Sequence, residues 1–422
     1  MLDSKVKRQL EAIDWDFPVA LPGTTKLAHW YPGTFPAQLP ATFIQACSDY
    51  GDIVFDPYGG AGTTASEAIR LGRKAWITDI NPIGILANYS YSALLILMNS
   101  SNEKFKLFIQ NIRSLLAIKN ADSPGFQFDD MTNNLEGVDS LFEKHMRPKP
   151  KDLHVKIRGE RKFNIEALKK WIHPRTLEEI IDVYQRINTS SNGAFIKLFT
   201  EAMISSNLRA LCSQNKSWGH IADNVYPKEF VYKDVTKQLT LWLNSLEKSI
   251  SKCAIEGSRK YTGIQYWVDI HNWNTNKKVT VRPRDSAKLL ITSPPYADAI
   301  DYLYAQKISL YFLGYDDNDI TSFCKQEIGA RRKRFKTTSR ETWADELTAA
   351  ALKQKEYLDG PFVTIMPHKN HGREIGLKKM IKGLKDDGWQ EAFKVDRSID
   401  QKKTRQSWTS IKQETINIFT KE

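Results

Sequence analysis

The chain has 422 residues, which is long enough for two or three domains and a large hydrophobic core. Its composition, 41% hydrophobic and 26% charged, is that of an ordinary soluble protein. The formal net charge of +12 favours a polyanionic partner. The four cysteines contain no C-x-x-C pair, which argues against a zinc finger or a disulfide framework and suits a reducing compartment.

Neither a signal peptide nor a membrane span is expected. The first residues, Met1 to Lys5, lack the apolar segment of a signal peptide. The longest apolar run, Ala93 to Met98, is far too short to cross a bilayer. The sequence therefore predicts a cytoplasmic enzyme or nucleic-acid-binding protein.

The first hundred residues begin with an arm and continue as an α/β unit. Residues 1–28 predict an irregular arm, and an aromatic-rich turn, His29 to Pro36, precedes a short helix. Ile53–Phe55 predicts a buried strand ending at Asp56. The glycine-rich stretch after it opens a helix, and a second strand ends at Asp79. This order places an acidic residue at both strand ends.

Between about residues 91 and 275 the pattern changes to helices and basic loops. Thr176–Glu179 has the form of a capping box and predicts the start of a helix there. Residues 147–175 carry ten basic side chains against three acidic ones. We expect a mostly helical, basic domain inserted into the fold.

The α/β pattern returns after residue 276. Further strands are predicted at about 289–292, 362–366, 391–395 and 415–420, with a short candidate at 279–281. A helix is predicted between Tyr302 and Leu313, followed by a basic stretch at 325–341. The chain is therefore predicted to have three parts, residues 1–90, 91–275 and 276–422.

The glycine turn after the first strand fits a nucleotide-binding pattern. Gly60-Ala61-Gly62 with Ala65 matches G-x-G-x-x-G/A, in which glycines let the backbone approach an adenosine-bearing ligand. Asp56 would repel a pyrophosphate but can accept from an ammonium group, and Asp79 stands where an acidic group binds ribose hydroxyls. The pair favours S-adenosylmethionine over NAD. The alternative is that Asp56 caps the helix and Asp79 forms an Asx turn.

A rigid rim is predicted at a later strand end. Leu289–Thr292 predicts a buried strand, which the prolines of Ser293-Pro294-Pro295-Tyr296 end abruptly. Pro295 holds Pro294 extended, and ligands of open α/β sheets bind at such carboxyl ends. The rim offers a serine hydroxyl, carbonyl acceptors and an aromatic ring for a flat group.

Together these motifs resemble those of the DNA amino-methyltransferases, which transfer methyl from S-adenosylmethionine to the exocyclic nitrogen of cytosine (N4) or adenine (N6). Asp56–Thr64 resembles motif I of that family, and Thr292–Tyr296 resembles motif IV. Thr78–Pro82 resembles motif II, and His29–Pro36 resembles motif X. The order, with a long insertion, resembles the alpha arrangement, in which the insertion recognises the target sequence.

The resemblance covers about residues 29–90 and 278–420. It implies an α/β fold, a Rossmann-like class I methyltransferase sheet with a mostly helical inserted domain. The catalytic residues it implies are Ser293, Pro294, Pro295 and Tyr296. The cofactor-binding residues it implies are Tyr31, Thr34, Phe35, Asp56, Pro57, Tyr58, Gly60, Gly62, Thr63, Thr64, Asp79, Ile80, Asp285 and Ser293. Asp285 resembles the acid of motif III, which binds the adenine ring. Two positions depart from the family pattern: Arg284 replaces the usual glycine before Asp285, and Tyr58 replaces the usual phenylalanine of motif I.

The chemistry implied is activation of an amino group whose lone pair is delocalised into the base. Ser293 Oγ and the Pro294 carbonyl are expected to accept its two hydrogens, so that the nitrogen can attack in line. The base must leave the duplex, with Tyr296 stacking on it. Serine at the first rim position is commoner in the cytosine-N4 enzymes. N4-methylcytosine is therefore the expected product, and N6-methyladenine is the alternative.

Duplex DNA is the expected macromolecular partner, together with a cognate restriction endonuclease in a restriction–modification system. Phosphate contacts are predicted for Lys149, Lys151, Arg158, Arg161, Arg331, Arg332, Lys333 and Arg334. The last four also fit a solvated loop.

No metal is expected, because His368 and His371 have no carboxylate and cysteine set beside them. Two rival functions remain open. One is methylation of RNA, at guanine N2, or of a protein glutamine. The other is non-catalytic nucleic-acid binding.

Overall fold

The computed structural model describes residues 2–17, 29, 31, 33–117, 138–188, 193–214, 226–257, 268–272, 286–297, 301–330, 338–367, 374–398 and 413–421. The strands are β1 (Ile53–Asp56), β2 (Lys74–Asp79), β3 (Met146–Arg147), β4 (Val268–Asn272), β5 (Leu289–Thr292), β6 (Phe362–Pro367), β7 (Trp389–Ser398) and β8 (Gln413–Lys421). The helices are α1 (Ser4–Glu11), α2 (Gln38–Cys47), α3 (Thr63–Arg70), α4 (Pro82–Ser100), α5 (Asn102–Ala117), α6 (Val138–His145), α7 (Pro150–Ile157), α8 (Ile165–Leu168), α9 (Pro174–Ile187), α10 (Ala194–Leu211), α11 (Val235–Gly257), α12 (Tyr302–Ala305), α13 (Lys307–Phe312), α14 (Asp317–Gln326), α15 (Ser339–Gln354) and α16 (Glu374–Asp386).

The strands form one eight-stranded sheet in the order β3-β4-β2-β1-β5-β6-β8-β7. Neighbours from β3 to β6 are parallel, whereas β8 runs antiparallel to both β6 and β7. The order reverses at β1, which has β2 on one side and β5 on the other. Open α/β sheets bind ligands outside the carboxyl ends of the strands at such a reversal. The sheet confirms the predicted α/β, Rossmann-like fold.

Both faces of the sheet are covered. All four residues of β1 and of β5 are buried, as expected for central parallel strands built from apolar runs. Alternate side chains serve opposite faces: Val54 and Ile77 pack with the helices from α2 to α11, whereas Phe55 and Trp76 pack with α15 and α16. The Phe55 and Trp76 rings stack with their centroids 4.0 Å apart.

Helix α4 is the central helix of the larger layer. It packs against α3, α5, α10 and α11. Its start is fixed by Asn81, whose side chain accepts from the Ile83 N–H, and by Pro82 in the first turn. By length and composition it could cross a membrane, but 89% of its apolar window is buried inside the protein. It is therefore accounted for as a core helix.

The segment from 91 to 275 is mostly helical where it is described, but it is continuous with the sheet. The boundary predicted at residue 90 falls inside α4, and β3 and β4, which were not predicted, extend the sheet beyond β2. Its helices share a hydrophobic core with one face of that sheet. Its role as a recognition domain stays a prediction.

Three local predictions were wrong. The arm expected to be irregular contains helix α1 (Ser4–Glu11), which the Asp3 side chain caps by accepting from the Lys5 and Val6 N–H groups. Thr176 does not cap a helix: α9 begins at Pro174, with His173 in the cap position. Pro174 suits a first helical turn because its ring fixes φ and it needs no N–H partner there. The buried Thr176 hydroxyl instead donates to the Lys233 carbonyl at 3.0 Å. The single helix expected after Tyr302 is two helices, α12 and α13, and the candidate strand at 279–281 lies outside the described residues.

Candidate active site

A cavity of about 850 Å³, counting the space at its open mouth, lies where β1, β2 and β5 end. Eleven of the predicted cofactor-binding residues line it: Tyr31, Thr34, Phe35, Asp56, Pro57, Tyr58, Gly60, Thr63, Asp79, Ile80 and Ser293. Of the other three, Gly62 and Thr64 lie behind the lining, and Asp285 is outside the described residues.

The glycine turn is built by close packing against α4 and Tyr31. Gly62 has a φ of +98°, and a Cβ there would lie 2.5 Å from Asn88 Oδ1. Gly60 has a φ of +49°, and a Cβ there would lie 3.1 Å from the Tyr31 ring. Only glycine accepts both the left-handed backbone and these neighbours. The turn therefore brings bare backbone to the cavity wall at the start of α3.

Asp79 fixes the far side of that turn. Its Oδ2 accepts from the Gly60 N–H at 2.8 Å, and its Oδ1 accepts from the Asn81 N–H at 2.8 Å. Burial raises the pKa of Asp79 to about 6. The Ile80 N–H also donates to this carboxylate, so one acceptor position is left for another donor. The carboxylate is thus oriented by the backbone and can accept a hydroxyl hydrogen from a ligand.

Asp56 joins the two strands at the reversal of the sheet. Its Oδ1 accepts from the Tyr58 N–H at 3.0 Å and from Thr292 Oγ1 at 3.1 Å, and its Oδ2 accepts from Thr64 Oγ1 at 2.6 Å. Burial raises its pKa to about 6, and the charge of Asp79 adds to the effect. The side chain therefore ties β1 to β5 and keeps one acceptor position towards the cavity.

The proline rim lies on the same cavity. Ser293 and Pro295 line it, whereas Pro294 and Tyr296 are not among the described lining residues. Ser293 Oγ donates to the Tyr296 hydroxyl at 2.9 Å, and that hydroxyl donates to Glu414 Oε1 at 2.8 Å. Burial, and then the charge of Glu414, raise the pKa of Tyr296 well above its usual value. In this geometry Tyr296 is tied to β8 by its hydroxyl.

Several lining residues were missed by the sequence reasoning: Gly33, Gly59, Ala61, Asn81, Pro295, Tyr302, Leu303, Gln326, Glu327 and Ile328. Pro295 had been assigned to the rim alone. The least expected is Glu327, which is 3% exposed and whose Oε1 accepts from the Tyr302 N–H at 2.6 Å. Tyr302 in turn stacks on Tyr31, with centroids 6.3 Å apart. Tyr302 begins α12, and Glu327 directly follows α14. Neither helix carries a motif, so only the fold brings these two residues to the site.

The predicted phosphate-contacting residues fall into three groups. The side chain of Lys149 is 58% exposed and Lys151 is exposed, whereas Arg331 to Arg334 lie outside the described residues. Arg161 is exposed, with its guanidinium 4.8 Å from the Tyr315 ring centroid.

Arg158 does not fit the prediction, because it is only 5% exposed. Its Nη1 lies 3.3 Å from Glu201 Oε1, and its guanidinium packs on the Phe163 ring at 4.4 Å. A side chain held in the core in this way is not available to a phosphate. Arg158 is therefore not one of the residues that could contact a DNA phosphate.

Within the described part of the chain, no three His, Cys, Asp or Glu side chains gather into a metal site. His368 and His371 are not part of it. The metal-free expectation therefore stays a prediction.

Comparison with known proteins points in the same direction as the site. The model of a family described as DNA methylase matches residues 4–96. The Type II methyltransferase M.MjaII of Methanocaldococcus jannaschii is 22% identical over 417 residues, covering 86% of this chain and 77% of that protein. The orphan methyltransferase M.BamHII of Bacillus amyloliquefaciens is 45% identical over 56 residues, covering 13% of this chain and 21% of that protein. These similarities support an amino-methyltransferase family and methyltransferase activity, and the methyl donor of such enzymes is S-adenosylmethionine.

Proposed function

We propose that this chain is a site-specific DNA methyltransferase that moves a methyl group from S-adenosylmethionine to the exocyclic N4 of a cytosine flipped out of duplex DNA. The observation that carries the proposal is the position of Ser293. It lines the same cavity as Asp56 and Asp79, at the carboxyl ends of neighbouring strands. A rim with hydrogen-bond acceptors therefore faces the pocket that fits the methyl donor.

The residues of the cavity fit S-adenosylmethionine. The remaining acceptor of Asp79 suits a ribose hydroxyl, and the remaining acceptor of Asp56 suits the ammonium group. Phe35, Tyr58 and Ile80 provide apolar lining for the adenine ring. When bound, the cofactor supplies an electrophilic methyl group on a sulfonium centre.

Within the site, the chain's own residues would orient the amino group and accept its hydrogens. Ser293 Oγ has its hydrogen committed to Tyr296, so both of its lone pairs can face an amino group. The rim is held by the Trp343 indole, whose Nε1 donates to the Pro295 carbonyl at 2.9 Å. A pre-set acceptor of this kind contributes more to catalysis than one that must reorganise.

Adenine N6 is the second candidate target, and one detail of the site bears on the choice. A serine can serve cytosine by accepting from N4 and donating to the neighbouring ring nitrogen. Here its hydroxyl hydrogen is given to Tyr296, so the donor role requires that bond to break. The preference for cytosine therefore rests on the frequency of serine at this rim position in the N4 enzymes, and the product must be measured.

The test is nucleoside mass spectrometry of DNA from cells that express the protein, beside cells expressing Ser293→Ala. We expect N4-methylcytosine from the wild type and a decrease of about 100-fold or more in the variant, because the acceptor is removed. Ala297→Ser, a change of similar size near the rim, serves as the control. If only N6-methyladenine is found, the target base is adenine and the proposed cofactor and site still stand. Undiminished methylation in Ser293→Ala would refute the proposed site.

The cellular setting is part of the same proposal. The four cysteines, Cys47, Cys212, Cys253 and Cys324, form no disulfide, which suits a reducing cytoplasm, and the name of M.MjaII, a Type II methyltransferase, favours a restriction–modification context with a partner endonuclease. Methylation of RNA or of a protein glutamine is the rival activity. Methyl transfer to purified tRNA or to ribosomal proteins, without transfer to duplex DNA, would favour that rival. A binder without catalysis is excluded by any methyl transfer that Ser293→Ala abolishes.

A further inference from the structure

We infer that Glu414 is a positioning residue for methyl transfer: it fixes the direction of the hydrogen bonds that run from Ser293 through Tyr296, and it receives the proton that the amino group loses. The inference rests on the proposed function, because it concerns how Ser293 acts on an amino group. No motif of the sequence marks Glu414. It lies on β8, more than a hundred residues beyond the rim.

The geometry is a continuous chain of short hydrogen bonds. Ser293 Oγ lies 2.9 Å from the Tyr296 hydroxyl, which lies 2.8 Å from Glu414 Oε1 and 3.3 Å from the Ile365 carbonyl. Ser293 opens on the cavity, whereas Glu414 is 8% exposed. The chain of bonds therefore connects the cavity wall with a buried carboxylate between β6 and β7.

The carboxylate sets the direction of every bond in this chain. An ionised carboxylate can only accept, so the Tyr296 hydroxyl must donate to it. The Tyr296 oxygen is then free to accept, and the Ser293 hydroxyl donates to it. Ser293 Oγ is left with lone pairs alone towards the cavity, and the polarised bonds behind it make it a stronger acceptor.

The same hydrogen bonds balance the proton of the reaction. When the nitrogen–methyl bond forms and the sulfur–methyl bond breaks, the electron pair of the broken bond stays on sulfur and the nitrogen becomes cationic. The nitrogen then loses one proton to Ser293 Oγ, which passes its own proton to the Tyr296 oxygen. Tyr296 passes its proton to Glu414, which becomes a neutral acid and later releases the proton to water. No oxidant or second reactant is needed.

The charged surroundings allow Glu414 to take part. Arg397 on β7 faces it, with Nη1 3.4 Å from Oε2, and Tyr296 faces it from the rim. Burial raises the pKa of Glu414, while Arg397 and the bond from Tyr296 oppose the rise. The neighbouring carboxylate Asp396 accepts from Thr415 at 2.8 Å.

The test compares Glu414→Gln, Tyr296→Phe and the double variant, using enzyme in excess over unmethylated bacterial genomic DNA at saturating S-adenosylmethionine. Glutamine keeps the size of the side chain but can donate, so it no longer fixes the direction of the bonds. We expect each single variant to lower the single-turnover rate by roughly 10- to 100-fold. In the Tyr296→Phe background, Glu414→Gln should lower the single-turnover rate by less than about 3-fold, because the two residues act through the same chain of hydrogen bonds.

Glu391→Gln is the matched control. Glu391 is a carboxylate on the neighbouring strand that accepts from Asn417 at 2.7 Å, away from the rim. The Glu391→Gln variant should have the single-turnover rate of the wild type. Calorimetric binding of S-adenosylmethionine checks that each variant is folded.

A pH profile separates positioning from a merely structural role. With S-adenosylmethionine kept saturating at every pH, so that protonation of Asp56 and Asp79 does not limit the rate, the wild-type rate should fall as pH drops through the raised pKa of Glu414, because the protonated acid donates and reverses the hydrogen bonds. Both Glu414→Gln and Tyr296→Phe should abolish this acidic limb, so either variant can carry the test if the other does not fold.

The inference would be overturned if the two substitutions lowered the rate additively, or if the acidic limb persisted in both variants. In either case the proposed function would still stand, provided that the wild type methylates DNA. If the wild type transfers no methyl group to any substrate, the proposed function fails and this inference fails with it.

Discussion

Two carboxylates at the cavity, the buried Asp56 and the half-buried Asp79, have raised pKa values that favour binding of a ligand with hydrogen-bond donors. Burial raises the pKa of each from 3.8 to about 6. The folded protein therefore binds these protons more tightly than the unfolded chain, and its stability falls as pH rises from about 4 to above 6. At neutral pH both groups are mostly ionised at a cost. A ligand that offers an ammonium group and hydroxyl donors offsets that cost.

The affinity for S-adenosylmethionine should accordingly depend on pH. It should be constant between about pH 7 and 8 and weaken below about pH 6, where Asp56 and Asp79 become protonated. Asp79→Asn should weaken binding at about pH 7.5 by roughly 10- to 100-fold and make the acidic decline less steep, since one titrating group is gone. Isothermal calorimetry at several pH values measures both effects. An acidic decline as steep in Asp79→Asn as in the wild type would contradict the assignment.

At the scale of elements, the turn between β1 and α3 depends on contact with α4. Gly62→Ala places a Cβ at a φ of +98° and 2.5 Å from Asn88 Oδ1, so it should lower the free energy of unfolding by about 3 kcal/mol. Gly51→Ala is the matched control, because its φ is +86° but nothing lies within 4 Å of a Cβ there. It should cost about 1 kcal/mol. Urea unfolding measures the difference, and equal decreases would show that packing against α4 contributes nothing.

The elements that could be predicted from sequence are those with a local signal. Strong apolar runs ended by Asp56, by Asp79 and by the proline rim identified β1, β2 and β5, and hence the cavity edge. Strand β4 was missed because Val268–Asn272 is only five residues long and lies in a segment dominated by helices, although it alternates apolar and polar residues as a strand does. Its place in the sheet is set by pairing with β2, which is a long-range interaction.

Side chains were harder to predict than strands. Arg158 resembled its basic neighbours in sequence, and only its contacts with Glu201 and Phe163 show that it is buried. Glu327 and Glu414 had no motif around them, and they reach the site through helix and strand packing. Sequence spacing reports what adjacent residues do, whereas these residues meet the site across the fold.

At the scale of the whole molecule, the shared hydrophobic core determines where the basic surface residues lie relative to the cavity. The helical layer shares its core with one face of the sheet, so the basic residues after β3 are fixed relative to the cavity. Parallel strands place their carboxyl ends at one edge, and β3 lies four strand positions from β5, or roughly 19 Å. Lys149 and Lys151 therefore stand at the same edge as Ser293, within the width of a DNA duplex.

This position leads to a prediction about DNA binding. Lys149→Glu with Lys151→Glu should weaken binding to duplex DNA by at least about 10-fold at roughly 100 mM salt. It should also reduce the slope of log affinity against log salt by about 2, because each of the two lysines would neutralise one phosphate. Lys378→Glu with Lys382→Glu makes the same change of charge on exposed positions of α16, on the other face of the sheet, and is the control. Fluorescence anisotropy with a labelled duplex measures the affinity and its dependence on salt.

Equal effects from the two pairs of substitutions would mean that net charge alone governs DNA binding. Unchanged affinity after substitution of Lys149 and Lys151 would place the DNA-binding surface elsewhere.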